Sequence, residues 1–322
     1  MVRNARIRFH SLKILTGFDL SRRRLPMMWV ESRSRGPVVW ITACGHGDEV
    51  TGIVIIQELF ALIRKYGLQS GSIYAFPIMN PIGFEHISRY IPYSDEDLNR
   101  SFPGDPDGSL AERMADKIFS TILDKQPDLL IDLHNDWIQS IPYVLIDPVH
   151  EKGEVFSRAL SYARKSGFAT VLDTDVLRRS LSFNLLNKGV PAITLELGEA
   201  YVVNETNVQY GLQAIMGMLN HAGVMSSPLP KQVYDLPEHL KEDLLYYSDK
   251  PLCSKSGILR FFVKPGIQVK KGQVVAKIYN AYGRLQETIY APASALVLGH
   301  RETSLAYPGA SVISFGLLEG KG

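Results

Sequence analysis

The chain has 322 residues, more than one ordinary hydrophobic core usually serves, so a single minimal module is excluded and a large domain with a smaller companion is expected. Hydrophobic residues at 45% and charged residues at 21% exclude the collagenous and wholly disordered classes. Lys+Arg number 35 and Asp+Glu 33, a formal charge of +2, too little for a phosphate-binding field across one face, so nucleic acid is not an expected partner.

Cys44 and Cys253 stand far apart without CxxC spacing, and no disulfide framework is indicated. The opening MVRNARIRFHSLKILTG breaks its apolar run at once and offers no small-residue cleavage site, so no export signal is read there. Gly52 to Leu62 contains Gln57 and Glu58 and falls short of the roughly 20 apolar residues a spanning helix needs. A cytoplasmic protein without a membrane partner is the expectation; a homo-oligomer is left open.

In chain order, an extended segment around Met28-Trp29-Val30 precedes the turn signal Gly36-Pro37 and a second segment, Val38 to Thr42. The second is almost wholly apolar, as a strand buried on both faces should be, and is the candidate central strand. Past Cys44-Gly45-His46-Gly47-Asp48, apolar Val50, Ile53, Val54, Leu59, Leu62 and Ile63 recur at helical spacing up to Gly67. Ser72 to Ile78 reads as the next strand, and Asn80 to Gly108 as a loop whose length alone marks it as functional. Ser109 with Glu112 is a capping-box signature for a helix carrying Met114, Ile118 and Ile122, and Pro127 leads into a strand from Leu129 to Leu133. Val144 to Ile146 (strand), Val155 to Ala163 (helix), Ile193 to Leu197 (strand) and Val208 to Leu219 (helix) continue the alternation, which implies an α/β architecture with a mostly parallel sheet. From about Pro228 the punctuation changes, and past Gly257 short apolar runs alternate with turns. Residues 1–227 are therefore expected to form a catalytic-type domain and 228–322 a smaller all-β one.

His46 and Glu49 lie where a buried strand ends and a helix begins, with a glycine on each side of the histidine that lets the chain turn. Two donors so placed can converge on one point, and a catalytic zinc commonly takes two His and one carboxylate while keeping a further position for water. His134, ending the strand from Leu129, supplies the second imidazole, and in a parallel sheet ligands gather beyond the carboxyl ends of strands. Singly, each has a plainer reading: a loop histidine, a first-turn glutamate favoured by the helix dipole, a strand-end histidine bonded to backbone. Asp132, on the same strand face as His134, either holds a ligand's second nitrogen or caps a neighbouring helix; both readings stand.

The long loop makes the pattern specific. HGDE at 46–49, NPIG at 80–83, RYI from Arg89, DLNR ending at Arg100, DLH ending at His134 and LELG around Glu196 occur in the order found in the succinylglutamate desuccinylase/aspartoacylase family, which this chain resembles from about Val38 onward. The resemblance implies a zinc carboxypeptidase-like mixed, mostly parallel sheet flanked by helices, with Zn2+ as cofactor held by His46, Glu49 and His134. It further implies Glu196 as the base that activates water, Arg89 as the group that polarises the scissile carbonyl, and Asn99 with Arg100 as the holders of a substrate carboxylate. The chemistry agrees: zinc acidifies water, a carboxylate takes the proton, a guanidinium stabilises the oxyanion, and the planar fork of Arg suits a carboxylate. Two departures bear on specificity. A further substrate arginine lies close before the catalytic glutamate in aspartoacylases, whereas the candidate here, Arg179 beside Arg178, precedes Glu196 by the segment Ser180 to Leu195; the segment between Arg89 and Asn99 is also longer.

The C-terminal part resembles the β barrel-sandwich of biotinyl and lipoyl carriers through VKPGIQVKKGQVVAKI and the turn at Ala291-Pro292. Where a carrier presents its modified lysine this chain has Tyr279-Asn-Ala-Tyr-Gly283, so no prosthetic group is expected, and these tyrosines with Arg284 either reach the active-site mouth or pack the hairpin, the plainer reading. The function implied is zinc-dependent removal of an acyl group from a small N-acylated amino acid, or related amine, bearing a carboxylate. The alternatives are a zinc carboxypeptidase acting on short peptides and a non-catalytic binding protein of the same fold.

Overall fold

The computed structural model describes residues 5–16, 20–136, 139–149, 153–174, 178–226, 234–301 and 303–318. An N-terminal ribbon, β1 (Arg8–Thr16) and β2 (Arg22–Glu31), leads to β3 (Val38–Ala43) and α1 (Thr51–Tyr66). There follow β4 (Ser72–Phe76), α2 (Pro81–Glu85), a 3-10 turn at Leu98–Arg100, α3 (Leu110–Leu123) and β5 (Leu129–His134). Next come β6 (Gln139–Ser140), β7 (Tyr143–Ile146), α4 (Glu154–Ala163), β8 (Ala169–Leu172), α5 (Leu181–Asn187), β9 (Ala192–Glu196) and α6 (Glu205–His221). The remainder holds α7 (Glu238–Glu242), β10 (Leu244–Ser248), β11 (Gly257–Phe261), β12 (Gln268–Val269), β13 (Val274–Tyr279), β14 (Leu285–Tyr290), β15 (Ala295–His300), β16 (Leu305–Ala306) and β17 (Ile313–Leu317).

One large mixed sheet runs in the order β1-β2-β4-β3-β5-β9-β7-β8-β10-β17-β15-β12, with β6 beside β15. β3 lies between β4 and β5, parallel to both, and is buried from Val39 to Ala43, which is what its unbroken apolar run requires. Trp40 at its centre is fully buried and stacks on Tyr74 of β4, ring centroids 5.2 Å apart. α1 packs against β3 and α6, and α5 against β5 and β9. The capping box at Ser109 and Glu112 is formed, so α3 starts where those two residues predict. β5 and β9 are parallel, but β7 runs antiparallel to β9, so it is the start of β7 that lies beside the carboxyl ends of β5 and β9.

The C-terminal part folds as a sandwich. β10, β17, β15 and β12 extend the large sheet, while β14-β13-β11-β16 form a second, antiparallel one. Leu259, Val275 and Ile278 of the small sheet share a buried cluster with Val297, Phe315 and Leu317 of the large one; among the described residues the strands do not close into a barrel. The expected division near Pro228 falls outside the described residues, and the parallel pairing of β8 with β10 carries hydrogen bonding across it without a break in the sheet. At the β13–β14 turn, Asn280 Oδ1 accepts from the backbone N–H groups of Tyr282 and Arg284, and Tyr282 is 89% exposed. Among the described residues no helix is long and apolar enough to cross a membrane.

Candidate active site

β3 delivers the chain to Cys44, whose φ of 55° is left-handed, a conformation few non-glycine residues adopt. The backbone turns there, and His46 and Glu49 follow with only 3% and 2% of their surface exposed. The expectation that the flanking glycines supply freedom to turn is corrected at Gly47. A Cβ on Gly47 would lie 1.9 Å from the carbonyl carbon of Gly83, so the loop sits directly on the first turn of α2. The Gly47 N–H donates to the Ser88 carbonyl at 2.9 Å, and Asn80 Oδ1 accepts from the Gly83 N–H at 2.8 Å, capping α2. HGDE and NPIG are thus two halves of one backbone contact.

The donor atoms of His46, Glu49 and His134 all lie within 4.8 Å of one another. His46 Nδ1 is 2.6 Å from Glu49 Oε1 and His134 Nδ1 is 2.8 Å from Glu49 Oε2, so the same ring nitrogen of each histidine turns inward. Each outer nitrogen has a carboxylate behind it: Asp97 Oδ1 lies 3.0 Å from His46 Nε2, and Asp132 Oδ2 lies 3.0 Å from His134 Nε2. The other oxygen of Asp132, Oδ1, accepts from the Thr42 hydroxyl at 2.6 Å, so its carboxylate spans the histidine and β3. Burial opposes the ionisation of Glu49, yet the two imidazoles outweigh it and hold the carboxyl below the usual carboxylate range. Burial also works against charging His134, but Asp132 and Glu49 raise its pKa well above the usual imidazole value. Two imidazoles and one carboxylate, with carboxylates behind the imidazoles, are a donor set that fits zinc.

The cluster opens on a cleft of about 490 Å³. Register places Glu196 beside His134 on one side and Tyr143 on the other, so three neighbouring strands present one row of polar side chains to the cleft. Glu196 Oε2 and Asn135 Oδ1 are buried there without a hydrogen-bond partner, acceptors that a bound ion, water or substrate would satisfy. Burial, and then the charge of Asp136, raise the Glu196 carboxyl well above the usual range, with His134 pulling the other way. The Tyr143 hydroxyl donates to Asp136 Oδ2 at 2.6 Å.

Of the remaining expected residues, Arg89 donates to Asp97 Oδ2 at 3.0 Å and lies 3.8 Å from Glu49 Oε1, at the edge of the donor cluster. Asn99 lines the cleft, but its amide is committed: Oδ1 accepts from the Leu181 N–H at 3.0 Å, and Nδ2 lies 3.4 Å from His134 Nε2. Arg100 lines the cleft and donates one N–H to the Asn99 carbonyl at 2.8 Å. Arg179 is not brought to the cleft. Its guanidinium pairs with Glu112 Oε1 at 2.7 Å on the surface, 56% exposed, because Ser180 caps α5 and turns the following helix inward while its neighbour points out. The residues of the Tyr279 to Gly283 turn do not line the cleft either; the C-terminal part reaches it through Tyr247, Asp249 and Lys250 instead. Sequence reasoning passed over Asp97, although it opens the DLNR motif, and it had no signal for Tyr143, Asp147, Asp173 or Tyr247, which meet the site only through strand pairing.

The family model "Succinylglutamate desuccinylase/Aspartoacylase catalytic domain" matches residues 35–222, more than half of the chain. The chain belongs to the succinylglutamate desuccinylase/aspartoacylase family. A curated relative, the N-alpha-acetyl-L-2,4-diaminobutyric acid deacetylase of Halomonas elongata, is 31% identical over 261 residues, 78% of this chain and 73% of its own length. Among solved structures, the product-bound ectoine utilization protein EutE (DoeB) of Ruegeria pomeroyi superposes with a TM-score of 0.83 at 22% identity, covering 98% of this chain and 96% of that one. A metallo-carboxypeptidase of Burkholderia cenocepacia gives a TM-score of 0.55 at 15% identity over 68% of this chain and 65% of its own, which places the family's sheet in the carboxypeptidase-like fold.

Proposed function

We propose that this member of the succinylglutamate desuccinylase/aspartoacylase family is a zinc-dependent deacylase that hydrolyses the amide of a small N-acylated amino acid, giving a carboxylic acid and a free amine. The observation that carries the reading is the meeting, in one cleft, of the His46, Glu49, His134 donor set with a carboxylate, Glu196, in register beside it and lacking a partner. The curated relative is by its name a deacetylase of an N-acetylated amino acid, and that is the class proposed here.

Zinc held by His46 Nδ1, Glu49 and His134 Nδ1 would supply Lewis acidity for the acyl carbonyl and for water. Asp97 and Asp132 fix the ring orientation of the two histidines. Glu196 takes a proton from the attacking water and delivers it to the departing amine nitrogen, the general-base and general-acid halves of the hydrolysis. Arg89, tethered by Asp97, faces the acyl oxygen as negative charge develops there. Arg100, with N–H groups beyond the one given to Asn99, receives the substrate carboxylate, and Asn99 positions the loop. Turnover of N-acetyl amino acids and of dipeptides by zinc-loaded protein tests the proposal: release of acetate supports it, exclusive cleavage of dipeptides makes the protein a carboxypeptidase, and no hydrolysis of either set overturns it.

A further inference from the structure

Asn135, the residue after the β5 histidine, is tied down on three sides. Its backbone N–H donates to Glu49 Oε2 at 3.0 Å. Its side-chain amide donates through Nδ2 to the Glu199 carbonyl at 2.6 Å and to the Gly198 carbonyl at 3.3 Å. Those two carbonyls are themselves fixed. The Leu197 N–H donates to the His134 carbonyl at 2.9 Å, carrying the β5–β9 pairing one step past Glu196, and Gly198 then turns with a left-handed φ of 84°. Glu199 Oε2 accepts from Asn204 Nδ2 at 2.8 Å and from Asn207 Nδ2 at 3.2 Å, which holds the segment against the start of α6.

These donors settle which way the Asn135 amide points. The amide nitrogen carries both hydrogens and the oxygen none, so a flipped side chain would set oxygen against two carbonyl oxygens. Oδ1 is therefore turned the other way. It is buried, in a residue only 5% exposed that lines the cleft, and it has no hydrogen-bond partner. Among the described cleft residues one other buried side-chain atom is in the same condition, Glu196 Oε2. The two stand at the ends of adjacent strands, since Glu196 is in register with His134. Tyr143 and Asp136, by contrast, satisfy one another. Two buried acceptors facing one space require donors from whatever enters it.

Resting on the deacylase reading above, we infer that Asn135 is a further catalytic residue: its Oδ1 accepts the N–H of the scissile amide, which restricts the substrate to amides whose nitrogen carries a hydrogen. In the hydrolysis the water oxygen bonds to the acyl carbon and the water proton passes to Glu196. Glu196 returns that proton to the nitrogen as the C–N bond breaks, and Asn135 neither gains nor loses one. As the acyl carbon becomes tetrahedral, the nitrogen turns pyramidal, with four directions occupied by the acyl carbon, the amine carbon, the hydrogen and the lone pair. Holding the hydrogen at Asn135, and the amine part through its carboxylate at Arg100, leaves the lone pair for Glu196. The departing amine then has an N–H for each of the two buried acceptors. An ester sets oxygen lone pairs against Oδ1, and a tertiary amide sets a carbon there; both leave the acceptor unpaired.

The test crosses substrate with residue in zinc-loaded protein. Three compounds are compared in kcat/KM: the N-acetyl amino acid that the parent turns over best, the same compound methylated on its amide nitrogen, and the O-acetyl ester of the matching 2-hydroxy acid. The parent is expected to prefer the first over its N-methyl analogue by about 100-fold or more. In Asn135→Ala, at unchanged zinc content, the secondary amide falls about 10- to 100-fold while the ester changes by less than about 3-fold, so the amide-to-ester ratio collapses. A residue that only clamps the Gly198 and Glu199 carbonyls would lower amide and ester together. That unchanged ratio overturns the inference, and so, without any variant, does a parent that hydrolyses the N-methyl analogue as fast as the secondary amide. Calorimetry with free amino acids and their 2-hydroxy counterparts separates this from failure of the deacylase reading. If nothing is hydrolysed but the parent binds the amino acid more tightly and Asn135→Ala loses that preference, the acceptor stands without the chemistry; equal binding of the pair, or none, removes it.

Discussion

Replacing Asp147 by Asn should make the protein more stable, and more so as the pH rises. The side chain is 6% exposed, the hydroxyls of Ser182 and Ser180 ease its burial, the latter at 3.3 Å, and its pKa is pushed from the ordinary 3.8 up to about 7. The folded state therefore holds this proton more tightly than the unfolded chain does. The penalty for ionising it is absent below about pH 4, grows between 4 and 7, and is fully present above 7. Three pKa units at about 1.4 kcal/mol each set a ceiling of about 4 kcal/mol, and relaxation of the surrounding hydroxyls brings the expected gain to about 2 kcal/mol. Thermal unfolding of metal-free parent and variant from pH 4.5 to 8 reads the difference directly, since titrations common to both proteins cancel. The Tm of Asp147→Asn is expected to move from near the parent's at the acid end to several degrees above it at pH 8. A Tm difference that does not change with pH, or that grows toward acid, refutes the reasoning.

Gly47→Ala puts a methyl group 1.9 Å from the Gly83 carbonyl carbon, a backbone clash that no rotamer relieves, and should cost about 1–3 kcal/mol in urea unfolding and weaken metal retention together. His46→Ala and His134→Ala should each lose zinc on dialysis, measured by metal analysis; retention of a full equivalent by both would move the metal elsewhere. Arg179→Ala should leave KM within about 2-fold of the parent, because its guanidinium binds Glu112 outside the cleft. Glu196→Gln keeps the shape but cannot accept a proton, so kcat should drop about 10²- to 10⁴-fold with zinc content unchanged; unaltered turnover would assign the base to another residue.

Much of the catalytic sheet was legible because its signals are local. The apolar run at Val38, the helical spacing after Val50 and the box at Ser109 each name their own element, and β3, α1 and α3 follow. The donor residues could be read because HGDE and DLH both sit at strand ends. Longer-range features escaped. β1 carries Arg8, His10 and Lys13 on an exposed ribbon whose partner is the only reason it is a strand. β8 is four residues long, and α5 is a short helix started by the Ser180 cap. The antiparallel turn of β7 is invisible in its own sequence, yet it decides that Tyr143 stands beside Glu196. Arg179 shows the opposite failure: residue type suited the expected task, while the geometry of α5 directs it to the surface.

The central claim is that hydrolysis depends on one zinc held by His46, Glu49 and His134. Release of acetate from N-acetyl amino acids, followed while a chelator removes zinc and added zinc restores it, measures that dependence against bound metal. Turnover proportional to occupancy, reaching its limit at one equivalent per chain and absent from the stripped protein, is the predicted result; undiminished turnover by fully stripped protein would contradict it.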